Sequence, residues 1–112
     1  MGQHDRVRDS LATSRKYGWH LARVLMHPAT LAELGAATGG EEFESLPARE
    51  SSVDALWFVR PAAGGRESWE LRLVNESPYA LFEMFEPDEA EEDREDVRRE
   101  MEAKMRERMN VE

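Results

Sequence analysis

Residues 55–85 read ALWFVRPAAGGRESWELRLVNESPYALFEMF, and this stretch decides the fold. Residues 55–60 (ALWFVR) and 68–74 (SWELRLV) are short apolar runs rich in aromatic and β-branched types, the composition of strands. In the second run Trp69, Leu71 and Leu73 alternate with Glu70 and Arg72, which predicts one buried face and one wet face. Gly64-Gly65 lies between them and supplies the positive φ angles a tight turn requires. The two runs therefore read as an antiparallel hairpin, with Trp57 or Phe58 packed near Trp69. Asn75-Glu76-Ser77-Pro78 is a turn, and residues 79–85 (YALFEMF) return as a third strand.

Upstream, residues 19–26 (WHLARVLM) form an apolar run between Gly18 and Pro28, again strand-like. Residues 4–17 place Val7 and Leu11, with Ser14 and Tyr17 continuing the row, on one side at helical spacing, and Gly18 suits a helix C-terminus. Residues 27–38 open with Pro28 at a first helical position and line Leu31 and Leu34 along one face before Gly39-Gly40. Residues 41–53 contain Pro47 and read as an irregular connection pinned by Phe43 or Leu46. The class expected is α+β: a small antiparallel sheet, made of the hairpin and neighbouring strands, with two short N-terminal helices and a long charged C-terminal helix.

That last helix is read over residues 87–109. Acids crowd its start (Asp88, Glu89, Glu91, Glu92, Asp93) and cations its second half, an order that complements the helix dipole. Glu95–Arg99, Glu100–Lys104 and Glu102–Arg106 stand four apart with the acid first, the favourable order for ion pairs. At 1.5 Å per residue the helix would reach roughly 33 Å, so part of it is expected to project. The division expected is a compact α+β domain over residues 1–86 and a helical arm over 87–112.

Val97, Met101, Met105 and Met109 follow one another at intervals of four and make a narrow apolar stripe. Two packings fit: against the protein's own hairpin, or against another chain, for which adaptable methionine is suited. The candidate partner-binding residues are Val97, Met101, Met105 and Met109, joined by Trp57 and Trp69 should either indole be exposed. As core anchors the tryptophans need no further role.

Composition narrows the function. The 112 residues carry a formal net charge of −9 and suffice for one modest core. Residues 1–40 hold five cations against three acids, whereas residues 87–112 hold six against eleven. A chain so acidic lacks the dense basic patch that phosphate contacts need, which argues against direct nucleic-acid binding. There is no cysteine, which removes disulfides and thiolate metal sites and suits a reducing cytoplasm. No apolar run resembles a signal peptide or a membrane span. A soluble cytoplasmic protein, or one assembled into a particle formed there, is expected.

Motifs of chemistry are few. There is no nucleophile elbow, Walker loop or dinucleotide-binding glycine pattern. His20 and His27 stand seven apart without neighbouring ligands, and His27, before Pro28, suits a helix cap better than a metal. The acidic run Asp88–Asp96 lacks the central glycine of a calcium loop. No catalytic, cofactor or metal site is expected. The reading is a non-enzymatic protein–protein interaction module, a small assembly or accessory component acting as a homo- or hetero-oligomer. Residues 23–40, RVLMHPATLAELGAATGG, resemble short strand–helix segments of small phage structural proteins, which implies a role in a virion or prophage assembly. The alternative is a small acidic inhibitor that blocks a basic nucleic-acid-binding surface.

Overall fold

The computed structural model describes residues 2–34 and 47–111, with side chains as far as Arg108. In chain order the elements are α1 (Gln3–Lys16), β1 (His20–Met26), α2 (Pro28–Leu34), β2 (Ala48–Glu50), β3 (Ala55–Pro61), β4 (Glu67–Leu73), β5 (Tyr79–Phe85) and α3 (Glu91–Val111). The class is α+β, a five-stranded mixed sheet with three helices among the described residues. The strands stand in the order β2-β1-β3-β4-β5.

The hairpin forms as its sequence implies. β3 and β4 pair antiparallel from Ala55↔Leu73 to Pro61↔Glu67, and Gly64 and Gly65 turn between them with φ of 73° and 79°. Trp57 and Trp69 meet edge to face with centroids 5.8 Å apart. β5 continues the antiparallel ladder on β4, from Leu73↔Tyr79 to Glu67↔Phe85. Gly18, with φ of 86°, follows α1 as expected.

Two features depart from the expected sheet. β2 is a short parallel neighbour of β1, pairing Val24↔Ala48 to Met26↔Glu50, so the sheet is mixed and not purely antiparallel. Three residues of sequence Ala-Arg-Glu offer no apolar signal, and backbone pairing alone makes them a strand. A parallel pair needs a crossover, and α2 lies on it. The expected contacts of Phe43 and Leu46, and the end of the helix past Leu34, fall outside the described residues. The second feature is a register shift between Leu21 and Arg23. It puts Leu21 and Val24 on one face and Arg23 and Leu25 on the other.

The sheet is covered on both faces. Val7 and Leu11 of α1 and Leu34 of α2 pack on Leu21, Val24, Met26, Leu56, Phe58 and Val74. Asp54 ties this layer together, accepting hydrogen bonds from Gln3 Nε2 (2.8 Å), Thr30 Oγ1 (2.6 Å) and the backbone N–H of His27 (2.7 Å). His27 in turn accepts from the Ala29 N–H through Nδ1 (3.1 Å), the capping role expected of it. On the opposite face α3 runs back along β5. Arg94 lies 5.8 Å from the Phe85 ring, and Arg108 lies 3.9 Å from the Tyr79 ring at the other end of that strand.

The C-terminal helix is therefore a layer of the sandwich, where a projecting arm was expected. Met101 and Met105 are buried against Leu25, Trp57, Trp69, Leu71, Leu73 and Phe85, with Val97 packed at the margin. Charged residues also turn inward. Arg98 is 1% exposed, stacked 4.0 Å from the Trp69 ring centroid, and its guanidinium donates to Glu91 (2.8 Å) and Glu95 (3.0 Å). Glu102 accepts from Trp57 Nε1 at 2.8 Å and pairs with Arg49 of β2. Glu95 and Glu102 thus bridge to other elements, in place of the intrahelical partners Arg99 and Arg106 that spacing suggested. Across the sheet, Glu70 is 2% exposed rather than wet, its carboxylate gripped by Arg72 Nε (2.8 Å) and Nη2 (3.2 Å).

Candidate interaction surface

Of the six residues expected to meet a partner, five have described side chains, and all five lie in or against the core under α3. Trp57 and Met105 are wholly buried, and Met101 and Trp69 nearly so. Val97 is half-buried against the same cluster. The side chain of Met109 lies beyond those described. The stripe is used within the molecule, and the surface it was expected to offer is covered by the protein's own sheet. Of the three tryptophans only Trp19 reaches the surface, half-buried.

Exposed apolar side chains lie elsewhere. Phe82 is 63% exposed and Met84 49%, both on the side of β5 that faces the α1 layer. Among the described residues neither α1 nor α2 reaches that far across the sheet, so β5 is covered by α3 on one face and only by Trp19 on the other. Trp19 leans against Phe82 with ring centroids 6.3 Å apart. Arg60 lies over the Trp19 ring, 5.2 Å from its centroid, and donates from Nη1 to the Tyr17 carbonyl at 3.0 Å. Together with Ser68 these side chains line a shallow depression between the β1 start and the β5 edge.

The backbone of β5 is open at the same residues. In the β3–β4 ladder the Ala62 N–H donates to Arg66 O (2.9 Å) and the Val74 N–H to Asp54 O (2.9 Å), one bond at each end. Hydrogen-bonded pairs alternate along an antiparallel ladder. Leu56–Arg72, Phe58–Glu70 and Arg60–Ser68 are therefore the bonded pairs within it, given the register. Glu67, Trp69, Leu71 and Leu73 must then direct their peptide groups to β5, where they meet Phe85, Glu83, Leu81 and Tyr79. That leaves the N–H and C=O of Ala80, Phe82 and Met84 pointing outward. Among the described residues no strand pairs with this edge.

The two edges of the sheet differ in protection. β2 has three residues, two of them charged, and Pro47 before it, all features that discourage further pairing. β5 has seven residues with a single charge, Glu83. The motif YALFEMF carried part of this signal, since apolar residues on both faces demand cover on both faces. Sequence could not say that β5 would be an outermost strand, where one of those covers is missing.

Electrostatics concentrate under α3. Arg23, donating to Glu95 at 2.9 Å, and then Arg98 hold the Glu95 carboxyl down at about 2, against the desolvation that opposes them. Arg98 also lowers the Glu91 carboxyl from its ordinary value. These groups hold the helix on the sheet. Among the described residues no three His, Asp or Glu side chains converge as metal ligands. No helix there is long and apolar enough to cross a membrane.

The sandwich and its open edge place the chain in a broad class, an α+β domain with helices on both faces of a five-stranded sheet. The chain matches no protein-family model, and neither the curated proteins nor the solved structures contain a match to it.

Proposed function

We propose that this chain is a non-enzymatic protein–protein interaction module, an assembly or accessory component that docks through the outer edge of β5. One observation carries the reading: Phe82 and Met84 expose large apolar side chains at residues whose backbone groups also point outward. An edge of that kind is a template for strand addition, and natural proteins usually blunt it where nothing binds. A place in a phage or virus particle rests on the resemblance of residues 23–40 alone.

A photo-crosslinking amino acid placed at position 82 tests the reading in the producing cell, with Glu92 on the outer side of α3 as the control position. Discrete protein adducts at 82 and none at 92 are expected. No adduct at 82 would remove the interaction reading.

The second reading, an acidic inhibitor of a basic nucleic-acid-binding surface, gains support from α3. Arg98 is buried and Arg94 is mostly covered, so Glu92, Asp93 and Glu100 stand exposed with fewer cations among them than the sequence implied, while Asp96 pairs with the exposed Arg99. Salt separates the readings. Binding through exposed carboxylates should weaken steeply between about 0.05 and 0.5 M salt, whereas strand addition should change little.

A further inference from the structure

Resting on the interaction reading, we infer that the occupant of the β5 edge is β5 of a second copy, paired antiparallel about a two-fold axis through Phe82. The outward peptide groups belong to Ala80, Phe82 and Met84, a set symmetric about its middle member. Centred on Phe82, the pairing sets Phe82 against Phe82 of the second copy and each Ala80 against the other copy's Met84. All three residues are then used on both chains, giving six backbone hydrogen bonds by the alternation of an antiparallel ladder. The smallest side chain of the row faces the long, adaptable one, and the two exposed phenyl rings cover each other at the axis. Trp19, already in contact with Phe82, borders the seam.

Neighbouring registers are worse for identifiable reasons. Centring on Glu83 would set two carboxylates directly opposite each other, a destabilising cross-strand pair. Centring on Leu81 would bring Pro78, which has no N–H, opposite Met84. In the Phe82-centred register each Glu83 stands opposite Leu81 of the other copy, on the α3 face. The next residue along that face is Tyr79, over whose ring Arg108 lies. The two Glu83 carboxylates are diagonal to each other, each with an Arg108 guanidinium of the other copy on its Tyr79 side. This strand meets all of these conditions with itself.

The seam is one strand long, which places it among small interfaces, of roughly 1,200 Å² or less in total. A reversible dimer dissociating in the micromolar range is expected. Sedimentation of the full chain from micromolar to millimolar concentration should show a monomer–dimer equilibrium and no larger species, because pairing uses up the edge. Phe82→Pro removes one outward N–H and one ring at an edge position that tolerates proline, and should leave a folded monomer throughout that range. Should that variant lose its circular dichroism, the charge reversal carries the test. Glu83→Arg and Arg108→Glu should each weaken the dimer several-fold, and the double variant should recover most of the loss. A wild-type chain that stays monomeric at millimolar concentration overturns the inference, as does a dimer indifferent to Phe82→Pro and to both charge reversals. A monomer that still crosslinks through position 82 to a different protein overturns self-pairing and leaves the interaction reading standing.

Discussion

At the scale of single residues, the surprise is how many charges this protein places inward. Arg98 lies against both Trp69 and Phe85, with ring centroids 4.0 and 5.2 Å from the guanidinium carbon. Planar, delocalised and weakly hydrated, a guanidinium accepts such a site where an ammonium would not. Its Nε has no hydrogen-bond partner, so the stacking and the two carboxylates must offset that loss. Glu95 gives this cluster a pH signature. Its carboxyl is held at about 2 in the folded protein, below the ordinary 4.5, chiefly by Arg23. A group depressed in this way stabilises the fold above its unfolded value, and that contribution drains away as pH falls from about 4.5 towards about 2. Glu91, lowered by Arg98, acts in the same direction. Urea unfolding followed across that range should therefore show stability falling with acid, and Glu95→Gln should visibly flatten the slope. An unchanged slope would mean that Glu95 does not anchor α3.

At the scale of elements, α3 takes the first of the two packings its narrow apolar stripe allowed, against the protein's own sheet. Val97, Met101 and Met105 make only part of that contact. The face that meets the sheet is completed by Arg94, Arg98 and Glu102, whose stems and planar ends pack while their charges pair, and by Arg108 over the Tyr79 ring. Spacing identified the i,i+4 neighbours of Glu95 and Glu102, but Arg23 and Arg49 reach those carboxylates from other strands. Met105 is wholly buried, so Met105→Glu should unfold the domain, with loss of the near-ultraviolet signal from Trp57 and Trp69. The milder Met105→Ala should cost about 2–5 kcal/mol in denaturant titration. Either variant behaving like wild type would show that the stripe is not committed to the core. β5 offers the contrast: its backbone sites on one side are satisfied by β4, and on the other they wait at the surface.

For the molecule as a whole, the division at residue 86 has the strongest consequence. Without α3 the sheet would expose Trp57, Trp69, Leu71 and Phe85 together, an apolar surface too large to leave in water. A fragment ending at Glu86 is expected to aggregate or to bind hydrophobic dyes; a fragment that stayed monomeric with a native spectrum would restore the picture of a separable arm. The sequence by itself determined the elements. Gly18 and the Gly64-Gly65 pair marked their ends, and the alternation of Trp69, Leu71 and Leu73 made β4 a strand with its apolar side chains on one face. These signals are local, set by backbone conformation and by the periodicity of side chains along one segment. Only the tertiary structure decided which strand would be outermost, that Ala48–Glu50 would pair at all, and which side of α3 would meet the sheet. Those outcomes depend on contacts between segments distant in the chain. A carboxylate such as Glu102 looks solvated beside its helical neighbours, and is buried only because an indole and a guanidinium arrive from elsewhere.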